Sequence, residues 1–193
     1  MEPELIELLP HQTFAFSCGP TVSCFNRCCR DLNQLLTPYD ILRMKQRLAL
    51  SSGEFLTRYA AVHDGPETGL PVVSFRTRAD DGHRCPFVAD RGCRVYEDRP
   101  SSCRSYPLMR LASRNRETGR IAERFFLLKE SHCRGFSSGR SQTVHQWIAG
   151  QGLSPYNEMN DRILALISAK NRRRPGPLNM ADRHRFITAL YDL

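Results

Sequence analysis

Eight cysteines are the residues of this 193-residue chain whose type and spacing could do chemistry. One group is compact, with five, three and no residues between its successive members: Cys18, Cys24, Cys28 and Cys29. The other four are dispersed: Cys85, Cys93, Cys103 and Cys133. Thiolates bind zinc and are the usual ligands of iron–sulfur clusters. The sequence therefore predicts a metal site that holds zinc or an iron–sulfur cluster on these cysteines, and spacing alone does not separate the two.

Disulfide bonds are the competing explanation for so many cysteines. Disulfides persist in secreted proteins, whereas clustered cysteines in a reducing compartment are more often metal ligands. The first 17 residues carry Glu2, Glu4 and Glu7 and no Lys or Arg, so the basic start of a secretory signal is missing. No stretch approaches the length of a membrane span. We therefore expect a cytoplasmic protein with reduced, metal-binding thiols.

Cys28 and Cys29 are adjacent in the sequence. Neighbouring side chains diverge, and in extended backbone they point to opposite faces. Both are hard to fit on one tetrahedral ion, which predicts that they serve two metal atoms, either two irons of one cluster or two separate sites. The alternative is that one of them is simply a buried apolar side chain beside a single ligand.

The dispersed cysteines lie beside recognisable turn and helix signals. A turn at residues 90–92 would bring Cys85 and Cys93 together. Pro100 could begin a short helix with Cys103 in its first turn, where backbone N–H groups stabilise a thiolate. The flanking Arg99 and Arg104 would add to that effect, hold a carboxylate, or be plain surface charges.

Eight thiolates are too many for one ion. They could form two four-coordinate sites, or one cluster and a structural zinc, or they could leave one or two cysteines free for redox or substrate work. His83 and His132 each lie within two residues of a cysteine and are weaker candidate ligands, because a lone histidine is more often a polar surface residue.

The elements that must position these cysteines predict an α+β fold. We expect a small irregular cysteine-rich metal-binding core with short strands and flanking helices in residues 1–140, and a C-terminal helical extension packed on it in residues 141–193. The predicted strands are a short one at 14–16, one at 71–77 and a hairpin of 108–112 with 121–128, and loops are expected at 18–29 and 63–70. Helices are predicted after the capping residues Thr37, Ser51 and Asn179, and over residues 144–148 and 155–170.

The formal charge of +8 comes from 28 basic and 20 acidic residues. The positive charge is spread along the chain, and no basic run is interleaved with aromatic residues as a strand-binding groove would require. The pattern is therefore typical of an Arg-rich surface, and we expect neither nucleic acid nor a membrane as partner. A protein partner and the oligomeric state are left open.

Several motifs occur together in a characteristic order: Phe16-Ser17-Cys18, Cys24, Cys28-Cys29-Arg30, Leu36-Thr37-Pro38-Tyr39-Asp40-Ile41, Cys85-Pro86-Phe87, Cys93-Arg94-Val95-Tyr96 and Arg99-Pro100-Ser101-Ser102-Cys103-Arg104-Ser105-Tyr106-Pro107. Over residues 14–136 the chain resembles the YkgJ-like cysteine-cluster family of zinc- or iron-chelating proteins. Its first group is spaced more widely than the C-x2-C-x2-C-C usually written for that family. The resemblance implies a bacterial, cytoplasmic metal-binding protein, and it says little about a reaction.

Three functions are compatible with these observations. The first is an iron–sulfur protein with a redox or electron-transfer role, and an iron–sulfur oxidoreductase is the enzymatic form of this hypothesis. The second is a zinc-stabilised, non-enzymatic module that docks another protein, with the apolar faces of its C-terminal helices as the candidate surface. The third is a component of a protein-methylating system, because flagellin lysine methylases carry a related cluster. No glycine-rich nucleotide loop supports the third, since Gly150-Gln151-Gly152 is typical of a helix end. The sequence identifies no catalytic residue.

Overall fold

The fold is seen in a computed structural model, which describes residues 3–65, 68–137 and 139–192. In these residues the strands are β1 (Glu4–Leu8), β2 (Thr13–Ala15), β3 (Leu35–Leu36), β4 (Ala60–Asp64), β5 (Pro71–Phe75), β6 (Val88–Ala89), β7 (Gly92–Cys93), β8 (Leu108–Arg114), β9 (Ile121–Lys129) and β10 (Ser141–Thr143). The helices are α1 (Pro38–Arg47), α2 (Ser52–Tyr59), α3 (Ser101–Ser105), α4 (Val144–Gly150), α5 (Ser154–Arg173) and α6 (Met180–Tyr191). The α+β class and the helical C-terminal third are confirmed.

The strands form small antiparallel sheets. One sheet has the order β1-β9-β8 and another the order β3-β5-β4, while β10 pairs with β2 and β6 pairs with β7. The predicted hairpin of β8 and β9 is confirmed, and its turn closes with Gly119 at φ 72°. Strand β1 was not predicted, because its side chains are mostly exposed and its apolar residues do not alternate strictly.

Local capping signals account for most helix starts. Thr37 and Ser51 each form a full capping box, and the Asn179 side chain accepts a hydrogen bond from the Asp182 N–H at 2.8 Å. The predicted loop at 63–70 is partly wrong, since β4 continues to Asp64 by pairing with β5. None of the described helices combines the length and apolar character that a membrane crossing needs.

Two hydrophobic cores hold these elements together. The first core consists of Leu36, Ile41, Met44, Phe55, Ala60, Val73, Phe75, Phe87, Val95 and Tyr191. The second core consists of Phe14, Phe16, Leu108, Phe125, Leu127, Val144 and Trp147. Trp147 meets the Phe14 and Phe16 rings edge-on, at centroid distances of 5.8 and 5.7 Å, a favoured aromatic geometry.

The last third of the chain contributes to both cores. Trp147 of α4 lies in the second core, and Tyr191 of α6 lies in the first, where Phe186, Ile187 and Leu190 pack beside it. The apolar face of α6 is thus used within the chain, which removes it as a candidate docking surface. The division of the chain at residue 140 stays a prediction, and β10 crosses it by pairing with β2.

Asp40 joins the starts of two helices. Its side chain is fully buried, and its two carboxylate oxygens accept hydrogen bonds from the Thr37 N–H at 2.9 Å and the Ser101 N–H at 2.7 Å. These donors are the unsatisfied backbone groups at the starts of α1 and α3. Helix α3 carries Cys103, so Asp40 fixes one cysteine of the dispersed group against α1.

Replacing this carboxylate should therefore destabilise the fold. In Asp40→Asn, one accepting oxygen becomes an NH₂ group, which leaves a buried N–H without a partner. We expect the free energy of unfolding to fall by about 1–3 kcal/mol, measured by urea denaturation. The matched control Asp31→Asn changes an exposed carboxylate and should shift stability by less than about 0.5 kcal/mol. Equal stability of the two variants would refute this role of Asp40.

Candidate metal centre

The first four cysteines lie in a loop built from consecutive tight turns. The N–H of Phe25 donates to the Val22 carbonyl, the N–H of Arg27 donates to the Cys24 carbonyl, and a 3₁₀ turn spans Arg27–Cys29. Asn26 enters that turn at φ 65°, a conformation that asparagine tolerates better than most residues. The predicted loop at 18–29 is confirmed.

Backbone contacts attach the two ends of this loop to the dispersed cysteines. At one end, the Ser17 N–H donates to the Gly135 carbonyl at 2.9 Å, next to the segment of Cys133. At the other end, the Cys85 N–H donates to the Cys29 carbonyl at 2.8 Å. Gly135 is required for the first contact, because a Cβ there would overlap the Phe16 ring.

Cys85 and Cys93 flank the predicted turn, which the β6–β7 hairpin confirms. Val88 pairs with Cys93, and Gly92 adopts φ 118°, in the region that favours glycine. Backbone N–H groups donate to both sulfurs, from Phe87 and Val88 to Cys85 and from Val95 to Cys93. Such donors favour the thiolate, but burial is the larger effect and the pKa of each thiol is raised.

Cys103 lies in helix α3, as predicted, and its thiol is 3.8 Å from Gln34 Oε1. The predicted stabilisation of its thiolate by the helix start stays a prediction, because the effect of burial on the thiol is larger. Although the residue keeps accessible surface, its sulfur is crowded by protein atoms, and this burial raises the pKa of the thiol. Negative charge on Cys85 and Cys28 acts in the same direction.

Negative charge on one sulfur raises the pKa of a neighbouring thiol, and these effects indicate which sulfurs are neighbours. Burial raises the pKa of Cys18 to about 11, and negative charge on Cys28, Cys24 and Cys133 contributes to that rise. We call these four the N-terminal set: Cys18, Cys24, Cys28 and Cys133. The other four are also neighbours, because negative charge on members of this group contributes to the raised pKa of Cys29, Cys85 and Cys103. We call them the hairpin set: Cys29, Cys85, Cys93 and Cys103.

The adjacent pair lies where the two sets meet. The two thiol side chains interact, which lowers the pKa of Cys28 to about 7 and raises that of Cys29. The two residues lie in a 3₁₀ turn and not in extended backbone. Their side chains therefore do not point to opposite faces. Negative charge on Cys28 also raises the pKa of Cys85 and Cys93, so Cys28 is close to both sets.

Arg99 places a positive charge near these sulfurs. Its guanidinium favours the thiolates of Cys18 and Cys93 and interacts with Cys103, and burial lowers its own pKa. It is held by the carbonyl of Tyr96 and by Gln151 Oε1, both at 2.6 Å. This arginine therefore offsets part of the negative charge of both sets.

Arg104 has a different, structural role. It donates to the Gln151 carbonyl at 2.7 Å and to the Glu97 carbonyl, and its guanidinium carbon lies 5.0 Å from the centre of the Tyr156 ring. In the described parts of the chain neither Arg99 nor Arg104 forms an ion pair with a carboxylate, so that alternative is not observed.

The candidate histidines have contacts of another kind. His83 Nδ1 is 3.1 Å from Thr77 Oγ1, and His132 Nε2 is 3.8 Å from Glu130 Oε2. Sequence reasoning did not select Tyr106, whose hydroxyl is buried beside Cys133 and Glu130 without a formed hydrogen bond. Burial and these two neighbours raise its pKa. The stretch Ser105-Tyr106-Pro107 of the family motif was the available signal.

All eight thiols are free. Within residues 3–65, 68–137 and 139–192, no three His, Cys, Asp or Glu side chains are already arranged to hold a metal ion. The thiols are thus gathered in one region without converging on a point. Burial and their mutual proximity raise the pKa values of thiols such as Cys18 and Cys103 and so favour the protonated form, whereas a bound cation would favour the thiolates.

Comparison with known proteins identifies the class. A family model named CxxCxxCC, described as "Putative zinc- or iron-chelating domain", matches residues 17–136. The chain belongs to this family, and the match spans all eight cysteines together with the loop, hairpin and helix that carry them. No curated protein and no solved structure matches the chain.

Metal uptake should release protons. Bound thiolates are deprotonated, and a Cys18 pKa of about 11 means that this thiol still holds its proton at pH 8. Affinity for Zn²⁺ should therefore rise with pH below 11, by up to about tenfold per unit for each proton released. Calorimetric titrations at pH 7 and 8, in buffers of different protonation enthalpy, measure this release. Cys18→Ala should release fewer protons than the unmodified chain, and pH-independent affinity would contradict the expectation.

Proposed function

We propose that this protein holds two metal centres, one on each four-cysteine set, that at least one is an iron–sulfur cluster, and that it transfers electrons in the cytoplasm. The single observation that carries the proposal is that the fold gathers eight free thiols into one region, where the loop of residues 18–29 is bonded through its backbone to Gly135 and to Cys85. Four thiolates complete the coordination of a [2Fe–2S] or [4Fe–4S] cluster or of one tetrahedral ion.

The chemistry of the donors fits these centres. All eight donors are thiols, which are soft ligands selected by zinc and by iron–sulfur clusters. Further donors support the sulfurs: the Arg134 N–H lies 3.1 Å from Cys24 Sγ, and the hairpin supplies the N–H groups at Cys85 and Cys93. Hydrogen bonds to sulfur and the nearby Arg99 charge are the means by which a protein adjusts a cluster's reduction potential.

Electron transfer is supported by the proximity of the two sets. Cys28 and Cys29 are joined by one peptide bond, and charge on Cys28 acts both on Cys18 of the N-terminal set and on every cysteine of the hairpin set. Two centres held this way would lie side by side, which suits the passage of an electron from one to the other. A purely structural role would need no such proximity.

The first experiment is metal and sulfide analysis of protein purified without oxygen. We expect brown protein with bound iron, acid-labile sulfide and broad visible absorption that bleaches on reduction. Colourless protein with stoichiometric zinc and no sulfide would refute the iron–sulfur proposal.

The second experiment tests the division into sets. Cys24→Ala and Cys93→Ala each remove one cysteine from a different set, and the double variant removes one from both. Each single variant should keep about half of the metal, because four-coordinate sites lose metal when a ligand is deleted, and the double variant should lose nearly all. The control Ser23→Ala alters the exposed neighbour of Cys24 and should keep the full content. If either single variant loses all metal, the cysteines form one centre.

A zinc-stabilised interaction module is the second candidate. It is favoured by the β6–β7 hairpin, where Cys85 and Cys93 pack against the first core, as expected of a closed structural site. In that case chelation would unfold the protein, and purified protein would carry zinc with no redox signal.

A further inference from the structure

A large cavity lies apart from the cysteines. Its volume is about 990 Å³, it is open to solvent on one side, and it is lined by Gly65 and Gly69, the end of α5, the start of α6 and the tip of the β8–β9 hairpin. This volume is at the upper end of the range for small-molecule sites. We call it the arginine cavity, after the residues that give it charge: Arg114, Arg116, Arg172 and Arg183.

Specific contacts fix the walls of the arginine cavity. The Lys170 ammonium donates to the Thr68 carbonyl at 2.9 Å and to the Gly176 carbonyl, and the Leu178 N–H donates to the Gly69 carbonyl at 3.2 Å. The approach of these two loops is so close that a Cβ on Gly69 would overlap the Gly176 backbone. The two loops are therefore in close contact, and the hydrogen bonds of Lys170 join them.

The opposite wall is equally well anchored. Arg110 of β8 forms a two-pronged ion pair with Asp161 of α5, at 2.8 and 2.9 Å, which holds the hairpin against the helix. Asn115 Oδ1 accepts the N–H groups of Glu117 and Thr118 at 2.9 and 2.8 Å, so the hairpin tip between Arg114 and Arg116 is ordered.

Arginines outnumber acidic residues among the described residues that line the cavity. Arg183 is paired with Asp64 at 2.9 Å. In the part of the chain that the structure describes, Arg114, Arg116 and Arg172 have no carboxylate partner, and Asp64 is the one acidic residue of the lining. Glu67 lies in the same loop of the sequence, outside the described residues. Unpaired guanidinium groups around one cavity attract an anion, because each presents several N–H donors in a planar fork.

The cavity also has an apolar floor, formed by Leu164, Ile167 and Leu178. A bare inorganic ion would leave this surface uncovered. We propose that the arginine cavity binds a small organic polyanion, with its phosphate or carboxylate groups against Arg114, Arg116 and Arg172 and its less polar body against the floor. The site is separate from the cysteine sets, so the proposal stands whether they hold iron or zinc.

Calorimetric titration of the metal-loaded 193-residue chain at low salt tests the proposal. The probes are ATP, pyrophosphate and citrate, which separate phosphate from carboxylate chemistry and show whether an organic body adds affinity. The variants are Arg114→Gln with Arg172→Gln, and Arg116→Gln alone. The control Arg47→Gln removes an exposed arginine at the end of α1. Thermal unfolding of each variant verifies that it is folded.

We expect at least one organic probe, ATP or citrate, to bind, the Arg114/Arg172 double variant to weaken it about tenfold or more, and the control to leave it unchanged. A weakening in Arg116→Gln alone would also support the site. The proposal is overturned if neither ATP nor citrate binds, if the Arg114/Arg172 double variant binds the probe as tightly as the unmodified chain, or if the control weakens binding as much as the cavity variants do.

Discussion

Repulsion between neighbouring thiolates is the physical constraint that governs this structure. A thiolate near other thiolates is costly to form, and here burial and neighbouring sulfurs raise the pKa of Cys18, Cys29, Cys85 and Cys103. The folded chain therefore favours the protonated form of these thiols, and the cost arises when they ionise. A metal cation removes the cost by sharing the negative charge, which couples metal binding to the final packing of the site.

The two hydrophobic cores each hold some of the cysteines in place. Cys133 packs against the second core, whereas Cys85 and Cys93 pack against the first. The loop that ends in Cys28 and Cys29 reaches both, through its backbone bonds to Gly135 and Cys85. Arg99 adds a positive charge where the sets approach each other. Each feature serves the same end, which is to keep the sulfurs close without letting their charges accumulate.

Local signals made much of this predictable from sequence. Thr37, Ser51 and Asn179 were recognisable as caps, and the turn between Cys85 and Cys93 follows from its residues. What could not be predicted depends on tertiary contacts. Strand β1 exists because β9 accepts it as a partner, and β4 continues into a predicted loop because β5 pairs with it. The burial of Tyr106 likewise arises only when distant segments meet.

X-ray absorption at the metal edge of the purified protein is the most direct test of the central claim, because it counts the atoms around each metal. Two all-cysteine centres predict that every bound metal has four sulfur neighbours, from cysteine alone or from cysteine and sulfide, and no nitrogen or oxygen ligand. A first shell that contains histidine nitrogen or carboxylate oxygen would contradict the division of the eight thiols into two complete sets.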